Sequence, residues 1–337
     1  MAPLALLALA ACTESPVAPS REAPGERPEL ARAPVVSVTD LGTLGGDFSG
    51  AFGINHQGQV VGSSATTTGD VHAALWENGT ITDLGTVPGG DFSGALGINN
   101  RGQVVGFSGT APFDIHAALW ENGTITDLGT LGGFSSEASG INNRGQVVGF
   151  SLTATGETHA FLWENGTITD LRTLGGDLSE ALGINNLGQV VGFIRTASGP
   201  IHAALWENGT ITDLGTLGGV FSEAFGINDR GKVVGMSQTA TGPIHAFLWE
   251  NGSITDLGAL AGIFSQAHGI NNQGQVVGMS QTATGDVHAA LWENGSITDL
   301  GTLGGDRDQA FAVSNRGQVV GFSLTASGDH ATLWTLK

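Results

Sequence analysis

The chain has 337 residues, enough for one large domain or two ordinary ones, and carries 12 Lys+Arg against 31 Asp+Glu for a formal net charge of -19. A surface that negative repels phosphate backbones and anionic lipid heads, which argues against nucleic-acid binding and against docking on a membrane through a basic patch. One cysteine excludes an internal disulfide and a cysteine-cluster metal site, while 55 glycines without a strict triplet indicate many turns between short strands.

Residues 1–11, MAPLALLALAA, form an apolar run of the length of a signal-peptide core, too short to span a bilayer. The lone Cys12 follows directly, and Leu9-Ala10-Ala11-Cys12 resembles a bacterial lipobox, whose cysteine is lipidated and becomes the mature N-terminus. No Lys or Arg precedes the run; an ordinary secretory peptide cut after Ala8-Leu9-Ala10 is the alternative, and both readings export the protein. Cys12 opens the segment 12–34, where residues 13–34 hold five of the ten prolines and almost no large apolar side chain, so an extended tether without secondary structure is expected there. The folded domain is expected over 35–337.

From there the sequence repeats. The aspartate of a Thr-Asp pair recurs at Asp40, Asp83, Asp127, Asp170, Asp213, Asp256 and Asp299, every 43 residues except for one interval of 44, where Pro88 is inserted. A His-x-x-x-Trp pair follows in each copy: His72/Trp76, His116/Trp120, His159/Trp163, His202/Trp206, His245/Trp249, His288/Trp292 and His330/Trp334. A fixed period in the low forties marks a repeat architecture.

The third copy shows four strand-like segments: GTITDL (123–128), SEASGIN (136–142), the continuous apolar run QVVGFS (146–151) and HAFLW (159–163). Asn-Gly after Trp-Glu predicts a two-residue hairpin, and Asn143-Arg144-Gly145 a slightly longer one; the other two loops, GTLGGDFS and SLTATGE in type, are longer. Each copy therefore reads as a four-stranded antiparallel meander, and seven copies of ~43 residues predict an all-β, seven-bladed β-propeller. Small residues suit the crowded axis, so the expected order from inside to outside is GIN, QVVG, HAxLW, TITDL. The segment Val36–Leu41 is a TITDL-type strand, and HATLW at 330–334 lacks one, so the N-terminal strand is expected to complete the last blade and close the ring.

HAFLW at 159–163 and 245–249, with GINNRGQVVGFS at 140–151, resembles the HAF-type extracellular repeat of bacterial exported proteins over residues 35 to 337. Four copies read HAALW and the last HATLW, which keeps the His and the Trp. The resemblance implies an exported, repeat-built protein and carries no established activity.

Seven equivalent histidines could in principle ring a channel and bind metal, and His-Trp-Asp could act on sugar. A catalytic site, however, needs unlike groups converging with tuned pKa values, which requires the symmetry to be broken. Identical trios in every copy read instead as a packing and hydrogen-bond element, so no catalytic residue, metal or cofactor is assigned. The Asn-Gly-Thr/Ser sequons are explained by the turn, and the Gly-Gly-Asp loops lack the alternating aspartates of a calcium site. Binding is expected on the long-loop face, at positions where the copies differ: Phe113 and Asp114, Ile194 and Arg195, and Arg307 and Asp308. The expected function is that of an exported, lipid-anchored, monomeric and non-catalytic binding or scaffold module, held to the cell envelope only by its N-terminal lipid, or else secreted. Its partner would be a protein or a glycan. A multivalent lectin is the first alternative, and an extracellular polysaccharide-acting enzyme the second.

Overall fold

The computed structural model describes residues 35–110 and 114–336, so residues 1–34, including Cys12, and Phe113 lie outside the described residues. The described residues form 28 strands and no helix. In the third repeat the strands run Gly132–Ile141, Val147–Thr153, Thr158–Glu164 and Thr167–Asp170, each antiparallel to the next. The other repeats follow the same strand order.

Local chemistry accounts for this meander. Val147 and Val148 are both fully buried, because the second strand is covered on both faces and needs no polar side. At the hairpin that follows Trp163, Asn165 and Gly166 have φ of 51° and 79°, the two positive values that a type I′ turn demands. The first strand bulges between Ala138 and Gly140, which drives its backbone onto the second strand. A Cβ on Gly149 would lie 1.9 Å from the carbonyl oxygen of Glu137, so only glycine fits.

Packing is between neighbouring repeats rather than within one. Buried clusters each draw on two successive repeats; one joins Val105, Ala117 and Leu119 to Ala138, Val147 and Phe161. The cluster that follows the seventh repeat joins Val320 and Ala331 to Ala51, Val60, Ala74 and Trp76 of the first. A serine stitches the same interface: Ser136 Oγ accepts the Ala117 N–H at 2.9 Å, and Ser49 Oγ accepts that of Ala331 at 2.9 Å. The strand Val35–Asp40 pairs antiparallel with Asp329–Leu336, Val38 opposite Trp334, and so supplies the fourth strand that the last repeat lacks.

Both ends of the sheets are defined by their loops. Gln59 Nε2 donates to Glu77 Oε1 at 3.0 Å, tying the turn after the first strand to the turn after the third, so the two tight turns share one end. Gly45 pairs with Thr66, which puts the two longer loops together at the other end.

Candidate functional site

The His-Asp part of the repeated trio is one contact made seven times. His Nδ1 lies 2.7–2.9 Å from the Asp Oδ2 of the adjacent fourth strand at 72/83, 116/127, 159/170, 202/213, 245/256, 288/299 and 330/40. The other carboxylate oxygen accepts the backbone N–H two residues on, as Gly85 N–H to Asp83 Oδ1 at 2.8 Å. Because a carboxylate only accepts, Nδ1 carries the proton in each pair. The histidines sit on the third strands, away from the first strands that converge on the axis. Among the described residues no group of three or more His, Cys, Asp or Glu is placed to hold a metal ion.

Tryptophan takes no part in that contact. Trp76, Trp120, Trp206 and Trp292 are buried with Nε1 unpaired, and Trp334 Nε1 donates to the Gly301 carbonyl at 2.9 Å. Trp163 and Trp249 are only half-buried, and in those two repeats Phe161 and Phe247 fill the core instead. The trio is thus a strand clamp beside an apolar filler.

On the long-loop end, the positions singled out from the sequence are mostly occupied internally. Arg195 Nη1 pairs with Asp177 at 2.9 Å, and Arg307 Nη2 with Asp329 at 2.6 Å while its guanidinium lies 5.6 Å from the Phe322 ring centre. Asp114 is half-buried on the edge of a cleft. Neither Ile194 nor Asp308 reaches the surface: Ile194 is fully buried in the core, and Asp308 is fully buried where all six other repeats have the stitching serine, its Oδ1 accepting from Ser323 Oγ. Burial pushes its carboxyl up to about 6, so it belongs to the core and not to an exposed face.

Among its exposed polar residues this end also presents large apolar side chains. Phe134, Val220 and Ile263 are 63 %, 66 % and 68 % exposed, and all occupy the position after Gly-Gly or Ala-Gly where other repeats carry Asp47, Asp91, Asp177 and Asp306. Between successive repeats the loops leave clefts, one of about 660 Å³ against Gly45–Asp47 and Thr66–Gly69, and another of about 570 Å³ at the equivalent place against Phe134 and Thr153–Gly156.

The sequence reading missed the first strands, where symmetry does break. One position runs Gly50, Gly94, Glu137, Glu180, Glu223, Gln266, Gln309. Burial and the flanking charges of Glu137 and Glu223 push the Glu180 carboxyl up to about 7, and burial raises its two neighbours as well. Two residues on, Phe225, His268, Phe311 and Phe52 stack in sequence around the axis with ring centres 5.0–5.4 Å apart. Desolvation holds the ring of the half-buried His268 neutral, and its Nδ1 donates to the Ala310 carbonyl at 3.0 Å.

At the tight-turn end the seven first strands surround a cavity of about 180 Å³ lined by their termini, Ile-Asn-Asn in four repeats, Ile54-Asn55-His56 in the first, Ile227-Asn228-Asp229 in the fifth and Val313-Ser314-Asn315 in the seventh. A chain of hydrogen bonds runs round it. The backbone N–H groups of His56, Asn100, Asn143, Asn186, Asp229 and Asn272 each donate to the side-chain oxygen of the equivalent residue one repeat on, at 2.8–2.9 Å. The last of these, Asn315, reaches His56 Nε2 with its Nδ2 at 2.8 Å. Asp229 also collects the amides of Asn186 and Asn272, both at 3.0 Å, and these bonds hold its carboxyl below the usual range despite partial burial. The signal for this ring was present in the sequence as the residue after each Gly-Ile-Asn.

The sequence matches no protein-family model and no curated protein. Solved structures resemble it in fold. The β-propeller domain of the Trilobed protease from Pyrococcus furiosus is 11 % identical with a TM-score of 0.55, over 85 % of this chain and 93 % of that one. A Mycobacterium tuberculosis puromycin-hydrolyzing peptidase (12 %, TM-score 0.54) and the Pyrococcus horikoshii acylaminoacyl peptidase (12 %, TM-score 0.51) match over 87 % and 88 % of this chain. The chain spans about half the length of those two peptidases, 52 % of each. At such identities the likeness concerns fold alone: the chain is an all-β protein of the β-propeller kind.

Proposed function

We propose that the protein is an exported, non-catalytic binding propeller whose seven repeats are the blades of one closed ring, anchored through lipid on Cys12, and that it engages a protein or glycan through its long-loop end. Closure is supported by the pairing of Val35–Asp40 with Asp329–Leu336 and by the core shared between the seventh and first repeats. Anchoring rests on the sequence around Cys12; fatty-acid incorporation that disappears in Cys12→Ala tests it. The observation that carries the binding surface is the placement of Phe134, Val220 and Ile263, large apolar side chains held in water at or just before the long-loop ends of first strands, where sister copies carry aspartate. Exposed apolar groups on a rigid rim are where association gains most from dehydration.

The test restores the sister residue. Phe134→Asp, Val220→Asp and Ile263→Asp together keep a residue type already tolerated in that loop. The triple variant should melt as the parent does and lose binding to glycans and envelope proteins that the parent captures. Equal capture by parent and variant overturns this face. The clefts at equivalent places in two repeats favour a second reading, a multivalent lectin, for which saturating glycan binding must exceed one per chain.

A further inference from the structure

We propose that the tight-turn mouth of the axial cavity is a second binding site, for the carboxylate of a sugar acid. It is independent of the long-loop surface and lies at the opposite end of the molecule.

Asp229 shows what the ring of amides is built to hold. In the fifth repeat its carboxylate receives Nδ2 of Asn186 on one side and Nδ2 of Asn272 on the other. His56 occupies the same position in the first repeat and meets the same two groups, Nδ2 of Asn315 at 2.8 Å from Nε2 and Nδ2 of Asn100 at 3.2 Å from Nδ1. The orientation of both amides is fixed, because each side-chain oxygen already accepts a backbone N–H, from Asn272 and from His56. An imidazole in its neutral form has one acceptor nitrogen. The shorter contact identifies Nε2 as that acceptor, so at Nδ1 an N–H faces the N–H of Asn100. Two donors meet at the exposed edge of a cavity, with no acceptor among the described residues beside them. A ligand oxygen there satisfies both.

The surroundings specify an anionic oxygen. The residue after the ring position runs Gln57, Arg101, Arg144, Leu187, Arg230, Gln273, Arg316. All four arginines are exposed, and none of their guanidinium groups has an ion pair or a side-chain hydrogen bond among the described residues. Arg195 and Arg307, by contrast, are neutralised by aspartates. Arg101 and Arg316 follow the two asparagines that flank His56, and Arg144 follows Asn143, the next lining residue. In a chain of net charge -19, four exposed, unpaired guanidinium groups, each on the residue that follows a lining residue, make a local field at this end that attracts carboxylates, although none of the four lines the cavity itself. Asp229, across the cavity, accepts hydrogen bonds and so suits hydroxyl groups. Donors on one side, an acceptor on the other and about 180 Å³ between them fit a compact molecule with a carboxylate at one end and hydroxyls at the other.

Titration calorimetry of the full chain with D-glucuronate, its neutral glucuronamide counterpart and acetate tests this. The expected result is saturable glucuronate binding at one per chain, weakened by salt, with glucuronamide and acetate each at least about tenfold weaker. Arg101→Gln with Arg144→Gln should weaken glucuronate about tenfold or more. Gln stands at this position in the first and sixth repeats, so the double variant should keep the parent melting temperature. His56→Asn, which copies the residue of the neighbouring ring positions, should weaken it likewise. Glucuronamide or acetate binding as tightly as glucuronate overturns the sugar-acid assignment. No saturable glucuronate binding, or affinity unchanged in a folded double arginine variant, overturns the site. The triple aspartate variant at the long-loop end should bind glucuronate as the parent does, which separates the two surfaces.

Discussion

His330 Nδ1 lies 2.8 Å from Asp40 Oδ2 across 290 residues of sequence, the same contact that every other repeat makes across 11. The N-terminal strand is therefore held by the ordinary chemistry of the repeat. Asp40→Ala removes the bond to His330 and the one to the Gly42 N–H. Both groups are partly exposed, so the equilibrium cost should be about 1 kcal/mol, close to that of Asp83→Ala. The two variants should part in kinetics, since the strand that Asp40 holds is joined to its partner strand Asp329–Leu336 by no hairpin, whereas that of Asp83 follows directly on its partner. Limited proteolysis should release the 35–40 segment of Asp40→Ala faster than any segment of Asp83→Ala. Indistinguishable cleavage patterns would show that the backbone pairing alone secures this strand.

Three glutamates pressed together on adjacent first strands make stability depend on pH. The Glu180 carboxyl is raised from 4.5 in the unfolded chain to about 7 in the fold, so between those values the native state binds more protons than the unfolded one. Stability from this group is complete below about pH 4.5 and is lost as pH rises through 7. Glu180→Gln should raise the melting temperature at pH 8 by about 2–4 °C and flatten its decline from pH 5 to pH 8. A parallel decline in parent and variant would place the charge repulsion elsewhere.

Repeat length, strand order, turn type and the pairing of the N-terminal strand with the last repeat were all legible in the sequence, because each follows from a local rule applied seven times. Asn165-Gly166 dictates its own turn, and the missing fourth strand after Trp334 points to the segment before Leu41. Site chemistry was less legible for a physical reason. Variation between copies was sought in the long loops, where Arg195 and Arg307 differ, but those charges are cancelled by Asp177 and Asp329. The informative differences, His56, Asp229 and Glu180, lie on elements that look conserved in type, and what they do depends on a neighbour one repeat away. A period of 43 residues hides such contacts from any reading confined to one copy.

Gly149 carries a prediction of a different kind. A Cβ there would stand 1.9 Å from the Glu137 carbonyl oxygen, and that oxygen is backbone. Gly149→Ala must move a strand that is buried on both sides, so a loss of at least about 1–3 kcal/mol is expected, large for so small a change. Gly156→Ala, in a loop where a Cβ meets nothing but φ is +88°, should cost about 1 kcal/mol from backbone strain alone. Equal melting temperatures for the two variants would refute the close-approach account.

Phe161 and Trp163 show how two repeat types fill one volume. Where the third residue of the His-Trp strand is alanine, as Ala74, Ala118, Ala204 and Ala290, the tryptophan two residues on is 4–5 % exposed. Where it is phenylalanine, Phe161 and Phe247 are fully buried and the tryptophan stays at the rim. Both side chains lie on the same face of the strand, so they compete for one space between repeats. Phe161→Ala should therefore let Trp163 swing inward, as Trp76 does beside Ala74. The cost should fall below the ~3–5 kcal/mol of a phenylalanine removed without replacement, and tryptophan emission should shift to the blue. Ala74→Phe should do the reverse, expelling Trp76 and shifting emission to the red, with about 1–3 kcal/mol lost to overpacking. A full-sized loss in Phe161→Ala with unchanged emission would mean that Trp163 is fixed at the rim by something other than the phenylalanine.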